Sequence, residues 1–419
     1  MEKSNIPLGT IEIYGTEAKN RNFVYERLKE VYETFGYEPL QTPTFEFKKV
    51  FSGHHGEGEN LLFHLQDVNK QELVLRYDMT VPFARFATEH PELKRPIKRY
   101  QMQLAYRDDN IDKGHLREFM QCDGDIIGSQ SLYYDADVIN LAVCGLKKLG
   151  FKDFIIRINH RKIIKGIAEE LGYMGKDGLL KVQRALDCAD KFGKSEASLE
   201  NFTKKLKERR FTNFDIERIN RVVFKRYDLQ RPQELFETLY HNPSVKEGIK
   251  ELQEILSYLP EEIAHYCGLD LTLARGADYY TGFILEGILP QSNVGAILGG
   301  GRYDNLVKDL GGSDIGCVGM AFGLDRIWVA MQDMSLYPPH TDPKILIFTP
   351  NKVDKSIFEL ANHLRSHSVS TDICCEFKKF SEVEAYARSR DFTGIIWDKE
   401  YHSLVDWDEH KKFILSLIK

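Results

Sequence analysis

The decapeptide LARGADYYTG, residues 273–282, sets Arg275, Asp278, Tyr279 and Tyr280 inside a stretch apolar enough for a buried strand, between Leu271 and Phe283. A guanidinium or carboxylate inside a core costs several kcal/mol unless a partner meets it. The segment is therefore either a structural ion pair or a strand that faces a ligand. Two other stretches offer similar groups. LRYDMTVPFAR, residues 75–85, carries Asp78, Met79 and Thr80. Residues 97–128 alternate with period two, so that Arg99, Gln101, Gln103 and Arg107 share one face and Tyr100, Met102, Leu104 and Tyr106 the other. After the loop DDNIDKGHL the alternation resumes and groups Arg117, Phe119, Gln121, Asp123 and Asp125. On its own such a hairpin has a plain reading as a solvated sheet face and a sharper one as a ligand-binding floor.

The bulk properties narrow the class. At 419 residues the chain exceeds one simple core, and about two or three domains are expected. A net charge of −6 excludes nucleic-acid binding through bulk positive charge, so a polyanion would have to be met by a local patch. The seven cysteines include no C-x-x-C pair and no zinc-type spacing with histidine, and read as reduced core residues. His54 and His55 are neighbours in the glycine-rich SGHHGEGEN, where adjacent side chains point apart; a solvated or substrate-gating loop is expected there, and no metal. MEKSNIPLGTIEIYG contains no apolar signal core, and no stretch nears the ~18 apolar residues of a membrane span. A cytoplasmic enzyme or binding protein is the natural class.

The elements that must position these groups are legible in outline. Val24, Leu28, Val31 and Phe35 fall at helical spacing within 17–35, and Gly36 follows as a stop. Pro39 and Pro43 confine any strand in GYEPLQTPTFE to an edge or an interface. Residues 175–262 are rich in charged helix formers; the run KKLKERR at 204–210 reads as a solvated helix face or, more sharply, as a contact for nucleic-acid phosphates. Strand character returns at 271–300, followed by LGGGRYDNLVKDLGG and then GCVGMAFGLDRI, a glycine-broken strand entering a helix with Arg326. Pro338, Pro339 and Pro343 mark a linker, beyond which ILIFTP, TDICCEF and TGIIWD alternate with two helical stretches as a small α/β domain.

Taken in order, LRYDMTVPFAR, YR at 106–107 through REFMQ at 117–121, LARGADYYTG, LGGGRYD and GMAFGLDRI resemble the motifs of the histidyl-tRNA synthetases, a class II aminoacyl-tRNA synthetase family. The likeness is collinear over roughly residues 5–330. It implies an α+β fold, a class II synthetase-like antiparallel sheet with flanking helices, with its catalytic core in 1–174 and 263–334. A helical insertion would occupy 175–262, a linker 335–342 and an anticodon-binding-like α/β domain 343–419. It further implies a homodimer joined through the helix at 17–35 and the strand near Pro43, and a ligase that converts histidine and ATP to histidyl-adenylate before acylating the 3′ end of histidine tRNA. Mg2+ would arrive bound through the nucleotide, with no protein-only metal site.

Position by position, the resemblance gives Arg107 and Arg275 the catalytic role of fixing charge on the α-phosphate, a task suited to a planar, permanently charged fork. Arg107, Arg117, Phe119 and Arg326 would hold ATP, with Phe119 stacked on adenine and Arg326 on the phosphate tail. Asp78, Met79, Thr80, Gln121, Asp125, Tyr279 and Tyr280 would bind histidine, whereas Asp278 reads as the anchor of a turn. The chain departs from the family where GHLR puts His115 in place of an arginine, where Ala277 replaces leucine, and where DDNIDKG is acidic. Its last domain also offers IIWDKEYHSLVDWDEHKK in place of the glycine-acid signature. Two other functions are compatible with the motifs: a non-catalytic paralogue serving as regulatory subunit of ATP phosphoribosyltransferase in histidine biosynthesis, and a histidine-activating ligase with a non-tRNA acceptor.

Overall fold

The computed structural model describes residues 5–53, 56–111, 114–192, 196–223, 242–274, 279–338, 343–350, 353–398, 400–405 and 408–418. They divide into two compact units, Met1–Leu336 and Tyr337–Lys419.

In the first unit the helix Thr16–Thr34 buries Val24, Leu28, Val31 and Tyr32. Phe35, expected on this stripe, lies just past the last turn and is only half-buried. Tyr32 takes its place: its hydroxyl donates to the Cys122 carbonyl at 2.6 Å and its ring stacks on Tyr100 at 5.5 Å. Eleven strands follow in chain order: β1 (Glu38–Pro39), β2 (Phe45–Phe47), β3 (His64–Gln66), β4 (Glu72–Leu75), β5 (Ile97–Tyr106), β6 (Glu118–Ile127), β7 (Ile155–His160), β8 (Cys267–Leu269), β9 (Phe283–Ile288), β10 (Ala296–Arg302) and β11 (Cys317–Gly323). Eight of them form one sheet in the order β1-β5-β6-β11-β10-β9-β7-β8, antiparallel except at its two outer pairs. The other three form a small antiparallel sheet, β2-β4-β3. The expected α+β architecture is thus present.

The β5–β6 hairpin fixes the register of the polar face: Arg99 lies opposite Asp125, Gln101 opposite Asp123, and Gln103 opposite Gln121. These are cross-strand neighbours, close enough to pair. The face is not solvated, because Arg99, Gln101, Asp123 and Asp125 are each at most 2% exposed. LARGADYYTG departs from its expected strand. Residues 271–274 form a turn and Tyr279–Gly282 an irregular lead into β9, while Arg275, Gly276, Ala277 and Asp278 lie outside the described residues. His54, His55 and Asp112 lie outside them as well.

Helices Gly175–Phe192, Glu196–Glu208, Asn213–Val223 and Pro243–Ser257 fall in the 175–262 segment, and Pro243–Ser257 packs against Arg161–Glu170 of the core. In the KKLKERR run, Lys205 pairs with Glu208 at 2.8 Å on an exposed surface, in keeping with its plain reading. The second unit orders β12 (Lys344–Phe348), β13 (Ser370–Cys374), β14 (Gly394–Trp397) and β15 (Glu400–Ser403) as β13-β12-β14-β15. The first three are parallel, linked by helices Lys355–Ser366 and Phe380–Ser389; β15 adds an antiparallel edge beyond the expected pattern.

The arginine of LGGGRYD is structural. Arg302 donates through Nε to Asp135 at 3.0 Å and pairs with Asp304 at 3.1 Å, and Asp135 is fully buried. Burial pushes the Asp135 carboxyl above its ordinary value and the guanidinium pulls it back. Arg302→Leu strands that carboxylate, so urea unfolding is expected to show a loss of roughly 3–5 kcal/mol, with much of it recovered in the Arg302→Leu/Asp135→Asn double variant.

Candidate functional site

The polar hairpin face, the end of LARGADYYTG and the glycine-rich strands β10 and β11 enclose a cavity of about 1090 Å³. Glycine makes room for it: a Cβ at Gly319 would overlap the Asp125 carboxylate, and one at Gly300 the Gly319 carbonyl. Two clusters of polar side chains share this space.

The acidic cluster centres on Asp125. Its carboxylate accepts from the Tyr303 hydroxyl at 2.7 Å and pairs with Arg99 at 2.8 Å. Arg99 also donates to the Met79 carbonyl at 2.9 Å and lies over the Phe83 ring at 4.6 Å. Asp78 caps the helix Thr80–Glu89 by accepting from the Val81 amide at 3.1 Å, while its other oxygen accepts from Tyr279 at 3.1 Å. Tyr279 meets Tyr280 and Tyr303 edge-on at 5.0 and 5.8 Å. Burial pushes the Asp123 carboxyl well up; Arg99 opposes the shift and the Asp125 and Asp78 charges add to it. Burial likewise raises Asp125 against Arg99 and Tyr303. A cavity floored by carboxylates that outnumber their cation is shaped for a cationic ligand group. Gln121 completes the wall, and its buried Oε1 has no hydrogen-bond partner among the described residues.

The cationic cluster holds Arg107, His115 and Arg326. Arg107 lies between the rings of Tyr77 and Phe119, at 4.2 and 5.0 Å, and donates through Nε to the Tyr77 carbonyl at 3.1 Å. Among the described residues it pairs with no carboxylate, so two aromatic faces and one carbonyl orient its fork toward the cavity without neutralising it. Arg326 donates to the Ala296 carbonyl at 2.7 Å, and Gly114, at φ 70°, brings the hairpin loop against its side chain. His115 follows, with Asp109 at 3.8 Å. The neighbour of Arg326 does structural work: Asp325 takes Arg21 at 2.7 Å and the Met120 amide at 2.7 Å, tying the Thr16–Thr34 helix to β6.

Asp78, Thr80, Arg107, Phe119, Gln121, Asp125, Tyr279, Tyr280 and Arg326 all line this one cavity. Arg275 lies outside the described residues. Met79 is wholly buried, and the group it presents to the site is the carbonyl that steadies Arg99. Arg117 is not on the wall. Its amide donates to the Gly9 carbonyl at 2.9 Å, its side chain packs against Gly9, and its guanidinium reaches Asp108 at 3.2 Å and the Asp109 carbonyl at 3.2 Å. Strand alternation predicts a shared face, but the entry segment captures this residue at the hairpin's open end.

Three contributors escaped sequence reasoning. Tyr303, within LGGGRYD, supplies the bond to Asp125; its place one residue beyond β10 was the available signal. Arg161 and Arg184 also line the cavity, from helices Arg161–Glu170 and Gly175–Phe192, and nothing local in the sequence marks them. Arg161 donates to the Ala274 carbonyl at 2.8 Å. Beside it, His160 accepts the Lys162 amide on Nδ1 at 3.1 Å, and its Nε2 lies 2.8 Å from the Glu251 carboxylate.

A family model described as "Histidyl-tRNA synthetase" matches residues 9–327. A "Histidine--tRNA ligase" of Christiangramia forsetii is 31% identical over 450 residues, spanning 100% of this chain and 96% of that protein. One from Aeropyrum pernix is 37% identical over 324 residues, 76% of this chain and 72% of its own. Among solved structures, histidyl-tRNA synthetase from Nostoc sp. PCC 7120 is similar with a TM-score of 0.77 at 22% identity, covering 95% of this chain and 92% of that one. A Bacillus halodurans chain titled "ATP phosphoribosyltransferase regulatory subunit/histidyl-tRNA synthetase" reaches 0.73 at 22% identity, covering 93% and 97%. At that identity the two structures speak to the fold alone.

Two outcomes follow from the geometry. Tyr303→Phe removes a donor from a buried carboxylate and is expected to lower stability by about 1.5–3 kcal/mol in chemical denaturation. Burial pushes the Glu251 carboxyl up, yet its bonds to His160 and Lys162 outweigh this and hold it at about 2, against 4.5 ordinarily. Its contribution is therefore complete above about 4.5 and fades as pH falls toward about 2. Glu251→Gln should flatten the acid limb of a stability-versus-pH curve across that window and leave the neutral limb parallel to the parent.

Proposed function

This chain belongs to the histidyl-tRNA synthetase family, and on that premise we propose that it activates histidine with ATP and transfers it to the 3′ end of histidine tRNA. One observation carries the reading: Arg107, which pairs with no carboxylate among the described residues, and the Asp125–Tyr303 cluster open into the same cavity. In the first step an oxygen of the histidine carboxylate attacks the α-phosphorus of ATP, and the bond to the β-phosphate oxygen breaks as pyrophosphate leaves. Negative charge then gathers on phosphate oxygens, where fixed cations lower the barrier because they need no reorganisation.

Arg107 meets the carboxylate and α-phosphate, and its aromatic sandwich keeps the fork aimed. Arg275, outside the described residues, is assigned the same oxygens by motif alone. Arg326 and His115 take the phosphate tail, and Phe119 offers a face to adenine. Asp125, Gln121 and Asp78 receive the α-ammonium, while the hydroxyls of Tyr279 and Tyr280 address the imidazole. A wrong side chain would leave these buried polar groups unpaired, which is how such a pocket rejects it. Mg2+ would enter on the nucleotide's own phosphates.

Assembly and location extend the proposal. Strand β2 buries Glu46 against Arg85 at 2.8 Å and turns Phe45 and Phe47 outward, 55% and 45% exposed, on the sheet face that Leu65 of β3 shares across β4. An apolar sheet face of this kind supports a homodimer. No helix among the described residues is long and apolar enough to cross a membrane, consistent with work in the cytoplasm.

Histidine-dependent exchange of pyrophosphate into ATP, followed by charging of a histidine tRNA transcript, tests the activity. Exchange with charging is expected; no exchange points to the regulatory paralogue, and exchange without charging to another acceptor. Arg107→Ala should slow exchange on the order of 10² or more while histidine binding by calorimetry stays nearly unchanged, since the guanidinium acts on the transition state. Equal losses in both would show that Arg107 is a ground-state contact. His115→Arg places a permanent charge on the phosphate side and is expected to lower the KM for ATP severalfold at pH 8.

A further inference from the structure

Tyr279 and Tyr280 line the cavity from a lead-in that has no helix or strand of its own, so their position depends on what anchors the chain on either side. The end of β7 supplies the anchor on the entry side. Arg157 donates to the Thr272 hydroxyl at 3.1 Å, Asn159 to the Leu273 carbonyl at 2.9 Å, and Arg161, the first residue past the strand, to the Ala274 carbonyl at 2.8 Å. Three side chains at alternate positions thus hold three successive residues of the 270–274 turn. Strand alternation is what brings them to one face.

Arg161 differs from the other two because it holds the exit as well. Its backbone amide donates to the Gly282 carbonyl at 2.9 Å while its Nη1 holds Ala274, so a single residue bonds the chain on both sides of the tyrosines. The anchor is itself braced. His160 and Lys162, its neighbours in sequence, both reach the Glu251 carboxylate on the helix Pro243–Ser257, and the His160 side chain is wholly inaccessible. From the other direction Tyr279 donates to Asp78 at 3.1 Å and meets the Tyr280 ring edge-on at 5.0 Å. The pair of rings is thereby suspended between Arg161 and the cap of the helix Thr80–Glu89.

We propose that Arg161 is a positioning residue for histidine recognition: by bonding Ala274 and Gly282 from one backbone position, it sets where the hydroxyls of Tyr279 and Tyr280 stand above the acids of the cavity floor. A segment fixed at both ends has less freedom to lose when a ligand orders it, and its hydroxyls stay close to the geometry an imidazole needs. Arginine suits the task because its long stem ends in a rigid, directional donor that reaches a carbonyl across the turn. The guanidinium lines the cavity, yet it acts through the tyrosines and not on the substrate. The inference rests on the reading that this cavity takes histidine.

The test uses the full chain, with histidine affinity read by calorimetry and the KM values for histidine and ATP read by pyrophosphate exchange. Arg161→Met keeps the apolar stem and removes the donors. It is expected to weaken histidine binding and raise the KM for histidine by between about tenfold and a hundredfold, with the KM for ATP within about twofold of the parent. In a cycle with Tyr280→Phe, the double variant should be no more than about threefold weaker than Arg161→Met alone, since a displaced hydroxyl has little left to lose. Losses that multiply overturn positioning, because Arg161 then acts on the substrate independently of the tyrosine. Equal rises in both KM values, or parental histidine affinity in Arg161→Met, overturn it too. Should the methionine variant not fold, Arg161→Gln, whose polar side chain ends short of Ala274, is held to the same outcomes. A parent that binds histidine without exchange overturns the activity reading, and calorimetry then decides Arg161 by itself; a parent that binds no histidine overturns both.

Discussion

Everything in the first unit answers to one constraint: charges removed from water must meet a partner. Arg99 carries this burden at the cavity floor. It is nearly inaccessible, it pairs with Asp125, it bonds the Met79 carbonyl, and it moderates Asp123 across the hairpin. Without it the acids beneath the cavity would lose the cation that opposes the upward push of burial on Asp123 and Asp125. Their excess over their cation is the property that makes a ligand part of the electrostatics of this core.

Register delivers that arrangement. Arg99 opposite Asp125 requires β5 and β6 to pair without a slip, because moving either strand by one residue would turn the polar set to the other face. Tyr32 and Asp325 clamp the same hairpin from the Thr16–Thr34 helix and from the helix after β11. The other side of the cavity is built differently, from residues at or just past element ends: Arg107 one residue after β5, Arg326 in the first turn of its helix, His115 in the loop. Paired strands thus hold the acidic side of the cavity, whereas the groups of the opposite side stand at the margins of their elements.

The two units solve the packing of a sheet in unlike ways, and this bears on what each can bind. The antiparallel sheet spends glycine at β10 and β11 to open a cavity within its own face, one that admits polar groups wholly withdrawn from water. The parallel sheet fills both faces with apolar cores.

Period-two alternation and motif order, both local, were enough to identify the family, the hairpin and nine side chains that share the cavity. Local pattern could not say whether the polar face was wet or dry, since that depends on the helix, turn and strands that close over it from elsewhere in the chain. For the same reason LARGADYYTG read as a strand although the described part is turn and lead-in, and Arg117 read as a ligand contact although Gly9 and Asp108 draw it away. Tyr303, Arg161 and Arg184 reached the site only through tertiary structure. Alternation assigns a residue to a face, but which molecule or solvent meets that face is set by residues hundreds of positions away.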